Sequence, residues 1–224
     1  SYPRTPEEDC AGLEQHGCDI VFIPTVEDIY PDGLTEVRSD YGLLTNSLEA
    51  ASRPGHFDGV IQVVRRLLEI MTCQNAYFGE KDFQQLAVVR HLVKSEGIDT
   101  IIHSVQTVRE PSGLALSSRN KLLDPALSKA ALALSKALQE CSNLNTTSNL
   151  MELKHKARQM IIDAGARPEY FEIINPDTFE VIQSLEKLQK ARVVAAAYIG
   201  EVRLLDNMAV SVTEANLISE LQPH

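Results

Sequence analysis

Ala76-Tyr77-Phe78-Gly79-Glu80-Lys81-Asp82-Phe83-Gln84-Gln85 is the stretch that decides how this chain folds. Ala76 to Phe78 reads as a short strand, and Gly79 ends it. From Asp82 to Lys94 apolar residues return at helical spacing, with Leu86, Val89 and Val93 turned inward. Gly97 is placed to cap that helix. A strand that hands over directly to a helix is half of a parallel-sheet unit.

The same alternation extends outward on both sides. Val60, Val63, Val64, Leu67, Leu68 and Met71 predict a helix over 59–71 with one buried face. Thr100 to Val108 is β-branched and apolar, which predicts another strand. Ile20-Val21-Phe22-Ile23, stopped by Pro24, predicts a buried strand, and Pro31-Asp32-Gly33 a turn. Thr5-Pro6-Glu7-Glu8 predicts a helix start in which Thr5 and Glu8 form a capping box, with the helix ending near Gly17. Helices and strands in alternation predict an α/β fold, a parallel sheet with covering helices, over residues 1–109.

The pattern changes after Val108. Glu110-Pro111-Ser112-Gly113 reads as a turn and hinge. Asp124-Pro125 opens a helix expected to reach Glu140, Ser142 to Asn149 reads as a polar loop, and a second helix covers 150–164. Strands are expected at Tyr170–Ile174, Val193–Ile199 and Val202–Leu205. Helices followed by consecutive strands predict a smaller α+β domain over 110–224.

Composition narrows the function. The net charge of −10 argues against sequence-independent nucleic-acid binding, which needs clustered Lys and Arg, but allows a local basic pocket for a small phosphorylated ligand. Cys10, Cys18, Cys73 and Cys141 form no Cys-x-x-Cys pair, so reduced, mostly buried thiols and a cytoplasmic location are expected. No apolar run approaches the roughly 20 residues a membrane span needs.

Three stretches could carry chemistry. Gly79-Glu80-Lys81-Asp82 sits where a strand meets a helix N-terminus, the usual place for an anion in an open α/β sheet. Gly79 lets a ligand approach, Lys81 brings a full positive charge, and Asp82 could accept from ribose hydroxyls. A capped helix with solvated charges fits the same residues. Ser117-Ser118-Arg119-Asn120 offers two hydroxyls and a guanidinium, a natural oxyanion clamp, although an ordinary capping turn has this composition too. Ser52-Arg53-Pro54-Gly55-His56-Phe57 holds Arg53 and His56 in a stiff Pro-Gly loop before a helix, although a structural loop in which His56 bonds backbone groups fits equally well.

Together with Tyr2-Pro3-Arg4-Thr5, Gly113-Leu114-Ala115-Leu116 and Leu204-Leu205-Asp206-Asn207, these stretches resemble, in order and spacing, the motifs of the pantothenate synthetase (pantoate–β-alanine ligase) family of the nucleotidylyltransferase superfamily. The resemblance covers essentially the whole chain. It implies a Rossmann-like nucleotide-binding domain and a homodimer. It implies ATP-dependent condensation of pantoate with β-alanine through pantoyl adenylate, releasing AMP and pyrophosphate, with Mg2+ on the phosphates. In that reading Lys81, Ser117 and Arg119 are catalytic. Gly79, Glu80, Lys81, Asp82, Val108, Leu116, Ser117, Ser118 and Arg119 bind ATP, and Gln85 binds pantoate.

Two departures stand against it. The family's first motif is His-x-Gly-His, which none of His16, His56, His91, His103, His155 and His224 fits, and Ala50 stands where a glycine is usual. A fragment with part of the active site and the first strands missing is therefore expected. The alternatives are a non-catalytic piece that binds nucleotide weakly and a nucleotidylyltransferase with another acceptor. Gln85 and the Arg-Pro-Gly-His loop argue against the latter.

Overall fold

The computed structural model describes residues 5–34, 40–145, 147–185 and 190–213. Tyr2, Pro3 and Arg4 of the first quoted motif lie outside them, as does His224. Helix α1 covers Pro6–Gln15 and α2 covers Val26–Ile29. The expected capping box at Thr5 does not form: the Thr5 hydroxyl donates to the Asp9 carboxylate at 3.3 Å instead of accepting from the helix backbone. A box of that kind forms at α2, between Thr25 and Asp28.

Ile20–Ile23 is not a strand. The segment has no ladder partner among the described residues, and Ile20 is 80% exposed. An apolar run becomes a strand only when a neighbour takes up its N–H and C=O groups.

The first sheet is built on α3 (Glu49–Ser52), α4 (His56–Met71), β1 (Asn75–Gly79), α5 (Phe83–Glu96) and β2 (Ile101–Val105). β1 and β2 run parallel, in register from Asn75↔Ile101 to Gly79↔Val105. α4 turns Phe57, Val60, Ile61, Val64 and Leu68 against Val88, Val89 and Leu92 of α5, and Ala76, Phe78 and Ile102 pack on this core. Met71, expected on the buried face, is exposed because α4 ends there in a left-handed cap at Thr72. The opposite sheet face carries Tyr77 stacked on His103, 4.8 Å between ring centres.

The second half has α6 (Ser128–Glu140), β3 (Asn143–Asn145), α7 (Leu150–Asp163), β4 (Arg167–Ile174), β5 (Ala191–Ile199) and β6 (Val202–Thr213). Asp124 caps a short 3₁₀ turn, Pro125–Leu127, and α6 begins only after it. The strand order is β3-β6-β5-β4. β4, β5 and β6 are antiparallel neighbours. The stretch expected to be only a loop contributes β3, which pairs parallel with the end of β6. Three residues are too short to announce a strand by periodicity, and Asn is a poor strand former.

α6 and α7 cover one face of this sheet around Leu134, Leu138, Ile161, Phe171 and Val193. The alanines Ala195 and Ala197 of β5 let those helices approach closely. On the other face Ile174, Phe179 and Val194 meet Phe83 and Leu44 of the first half, with Phe83 and Phe179 stacked at 5.4 Å. That seam places the start of α5 against β5 and β6. The four thiols are free, but only Cys141 is buried, and burial pushes it up to about 11. No helix among the described residues is long and apolar enough to cross a membrane.

Candidate active site

The turn after β1 is a single 3₁₀ turn, Glu80–Asp82, from which α5 continues. Gly79 has φ −69°, open to any residue, and a Cβ added there would meet no atom within 4 Å. The chain itself therefore does not demand glycine at this point, and the space above it is clear for a ligand. Lys81 and Asp82 face an open cleft. Glu80 turns away from it, with its carboxylate 3.5 Å from the Arg192 guanidinium.

The second wall is the 108–122 segment. Arg109 and Ala115 form an isolated antiparallel bridge, and the Leu116 N–H donates to the Val108 carbonyl at 2.9 Å. The Ser117 hydroxyl accepts the Arg119 N–H at 3.2 Å, starting a 3₁₀ turn over Ser118–Leu122. Arg119 Nη1 donates to the Arg203 carbonyl at 3.2 Å. Asn120 braces the loop from inside, its Nδ2 donating to the Ala115 carbonyl at 3.0 Å.

Six of the sequence-predicted residues thus meet on one cleft: Lys81, Asp82, Leu116, Ser117, Ser118 and Arg119, joined by Arg53, Arg203, Leu204 and Leu205. Four cations and one carboxylate line it, in a chain whose net charge is −10. Arg203 is paired with Glu49 and Glu169, and Arg53 lies 3.8 Å from Glu49, so Lys81 and Arg119 are the cations left to meet a small anion. Gly79, Glu80 and Val108 do not line the cleft.

Gln85 lies in an adjoining pocket with Leu48, Glu49, Arg53, His56, Phe83, Tyr170 and Phe179; Arg53, Lys81 and Asp82 border both spaces. Gln84 borders the same pocket, but its carboxamide is committed to backbone partners. It is buried, accepting from the Glu49 N–H and donating to the carbonyls of Leu44 and Ser47. Arg53 Nη1 lies 3.1 Å from His56 Nε2. Burial and the Arg53 charge hold His56 below the ordinary histidine value, so it is neutral near pH 7.

The sequence profile described as Pantoate-beta-alanine ligase matches residues 1–209. The chain belongs to that family. Relatives include pantothenate synthetases from Koribacter versatilis (strain Ellin345), 42% identical over 93% of this chain and 72% of the relative, and from Mycobacterium sp. (strain KMS), 42% identical over 95% of this chain and 66% of the relative. Among solved structures, the pantothenate synthetase from Thermus thermophilus is 39% identical over 92% of this chain and 75% of its own, with a TM-score of 0.78. A pantoate-β-alanine ligase from Francisella tularensis, solved with β-γ ATP and β-alanine, is 38% identical over 93% of this chain and 71% of its own, with a TM-score of 0.73. This member of the pantoate–β-alanine ligase family thus spans about two thirds to three quarters of the relatives it matches.

Sequence reasoning passed over the polar framework under the cleft. Glu49 accepts from Arg203 Nη1 and Nη2 and from the Tyr170 hydroxyl, the latter at 2.5 Å. Arg203 also holds Glu169. Arg109 pairs with buried Asp206 at 2.6 and 2.9 Å. These partners are far apart in the chain, so no local pattern could link them.

Proposed function

We propose that this protein condenses pantoate with β-alanine at the expense of ATP, by way of pantoyl adenylate. The observation that carries the reading is the meeting of Lys81, Asp82, Ser117, Ser118 and Arg119, from two separate segments, on one cleft. The family's activity and the Francisella complex support it.

In the first step a pantoate carboxylate oxygen attacks the α-phosphorus of ATP, and pyrophosphate leaves. Negative charge grows on the phosphate oxygens. Lys81 and Arg119 meet it, aided by the hydroxyls of Ser117 and Ser118; preoriented charges of this kind contribute most in a site with little water. Asp82 accepts from the ribose hydroxyls, Gly79 and Glu80 supply backbone at the nucleotide, and Val108 and Leu116 border the adenine. Gln85 hydrogen-bonds pantoate in the adjoining pocket. In the second step the β-alanine amine attacks the acyl carbon and AMP departs. No covalent enzyme intermediate is needed, so most of the acceleration comes from holding two reactants in line.

Magnesium belongs to the same reading. Among the described residues no group of three or more His, Cys, Asp and Glu side chains could cage a metal. This suits an ion that keeps its waters and takes other ligands from substrate phosphates. Bound there it would offset phosphate charge, with Asp82 the carboxylate nearest to hand in the cleft. The reading also divides the chain into a nucleotide-binding part, 1–109, and a lid, 110–224, in a cytoplasmic homodimer.

Product analysis tests the proposal. Incubation with ATP, pantoate and β-alanine should yield pantothenate, AMP and pyrophosphate in equal amounts. Formation of ADP and phosphate instead would overturn it.

A further inference from the structure

Lys81 reaches the cleft from a turn of three residues, and a side chain 126 positions away holds that turn. The Asn207 carboxamide donates to the carbonyls of Glu80 and Lys81, at 2.9 Å each. Those two carbonyls belong to the peptide planes on either side of the Lys81 Cα. Peptide units are rigid, so fixing both planes fixes the direction in which the Lys81 side chain leaves the backbone.

Asn207 is itself held on every side. Its Oδ1 accepts from Arg192, so two acceptors face its nitrogen and one donor its oxygen, and the amide has a single satisfactory orientation. Its N–H donates to Asp206 Oδ1 at 2.8 Å, and its carbonyl accepts from Arg109 Nη2 at 3.2 Å. It is buried, at 5% exposure, so water does not compete for these bonds. Arg192 adds a second grip on the turn. Its guanidinium lies 4.1 Å over the Phe83 ring and faces Glu80. Residues alternate sides along a strand, so Arg203, Leu205 and Asn207 share one face of β6. Asn207 on that face fixes the Lys81 turn, and the backbone carbonyl of Arg203, four residues earlier on the same strand, holds Arg119.

We propose that Asn207 is a positioning residue that aims Lys81 at the phosphates, an inference that rests on reading the cleft as the ATP site. The C-terminal sheet then does more than cover the nucleotide: it sets the register between the two cations that meet the leaving group.

The test is Asn207→Asp, which keeps the shape and the acceptor for Arg192 but removes both donors, with Asn207→Ala as a second variant. Pantoate-dependent exchange of pyrophosphate into ATP should lose about tenfold or more in kcat, since small misplacements of a reacting group are costly. The Michaelis constant for pantoate should stay within about threefold. In a Lys81→Ala background the same change should cost less than about twofold, because the two residues act as one unit. An equal loss in both backgrounds would overturn the proposal. Hydrogen–deuterium exchange over residues 79–85 separates it from the substrate reading. Faster exchange there in Asn207→Asp, with α6 and α7 unchanged, supports the positioning role even if the wild-type chain shows no pantoate-dependent reaction, which would count against the substrate reading alone. Unchanged protection of that turn would sink the positioning role.

Discussion

Arg203 grips Glu49 with Nη1 and Nη2, at 3.0 and 2.6 Å, across 154 residues of chain. The pair is almost buried, with Glu49 lining the pocket that holds Gln85 and Arg203 lining the adjoining cleft. Without Glu49, Arg203 keeps Glu169 as its charge partner, so what is lost is the hydrogen bonding between charged groups, about 1.5–3 kcal/mol. Glu49→Gln should therefore lower the unfolding free energy by an amount of that order, measured by urea denaturation. A change no larger than that of an exposed substitution would show that the pair carries little.

The same pair sets an acid limit. Burial raises the Glu49 carboxyl, but hydrogen bonds from Arg203 and Tyr170 outweigh that and hold it below the ordinary 4.5. A depressed carboxyl contributes stability that is present above its unfolded value and lost as pH falls through its folded one. Tyr170 works in the other direction. Burial, with the Glu49 charge, pushes its phenol well above 10, so its contribution is whole below that pH and lost on the alkaline side. Unfolding followed across pH should give a plateau near neutrality with a limb at each end. Glu49→Gln should flatten the acid limb, and Tyr170→Phe the alkaline one.

Arg109 braces the wall of the cleft and can be tested separately. Its guanidinium pairs with Asp206, 3% exposed at the side chain, and donates to the Gly113 carbonyl at 3.1 Å. Arg109→Ala strands the Asp206 carboxylate and should cost about 3–5 kcal/mol. Adding Asp206→Asn should recover part of that loss in the same denaturation experiment. A double variant no more stable than Arg109→Ala would mean that the stranded carboxylate is not the source of the loss.

Gln85 lies in the pocket beside the cleft, whereas Gln84 is committed to backbone partners. Gln85→Ala should raise the Michaelis constant for pantoate by about tenfold, the loss of one good hydrogen bond. That for ATP should move by less than about twofold. The opposite pattern would reassign Gln85 to the nucleotide. Gln84→Ala should instead act on stability.

Local patterns carry much of the fold. β1, α4 and α5 are legible because strand, turn and helix follow one another within one stretch and each has a clear period. Lys81 and Arg119 are legible as candidates for an anion site because each stands in a short motif whose composition has a chemical use, and they do share one cleft. Ile20–Ile23 misleads, since an apolar run does not reveal whether a neighbouring strand exists. Glu49 gives no signal: its partners, Tyr170 and Arg203, lie 121 and 154 residues away. Asn207 is visible only as part of the Leu204–Asn207 resemblance, and its hold on the Lys81 turn emerges only when β6 is folded against α5.

The role of Lys81 in adenylation is open to direct measurement: pantoate-dependent exchange of labelled pyrophosphate into ATP, compared between the wild-type chain and Lys81→Ala. Lys81 has no ion-pair partner among the described residues, so its removal should leave the melting temperature nearly unchanged. Exchange should require pantoate and fall by about 10²-fold or more in Lys81→Ala. Exchange that is absent, that proceeds equally without pantoate, or that survives the loss of Lys81 would contradict adenylation at this cleft.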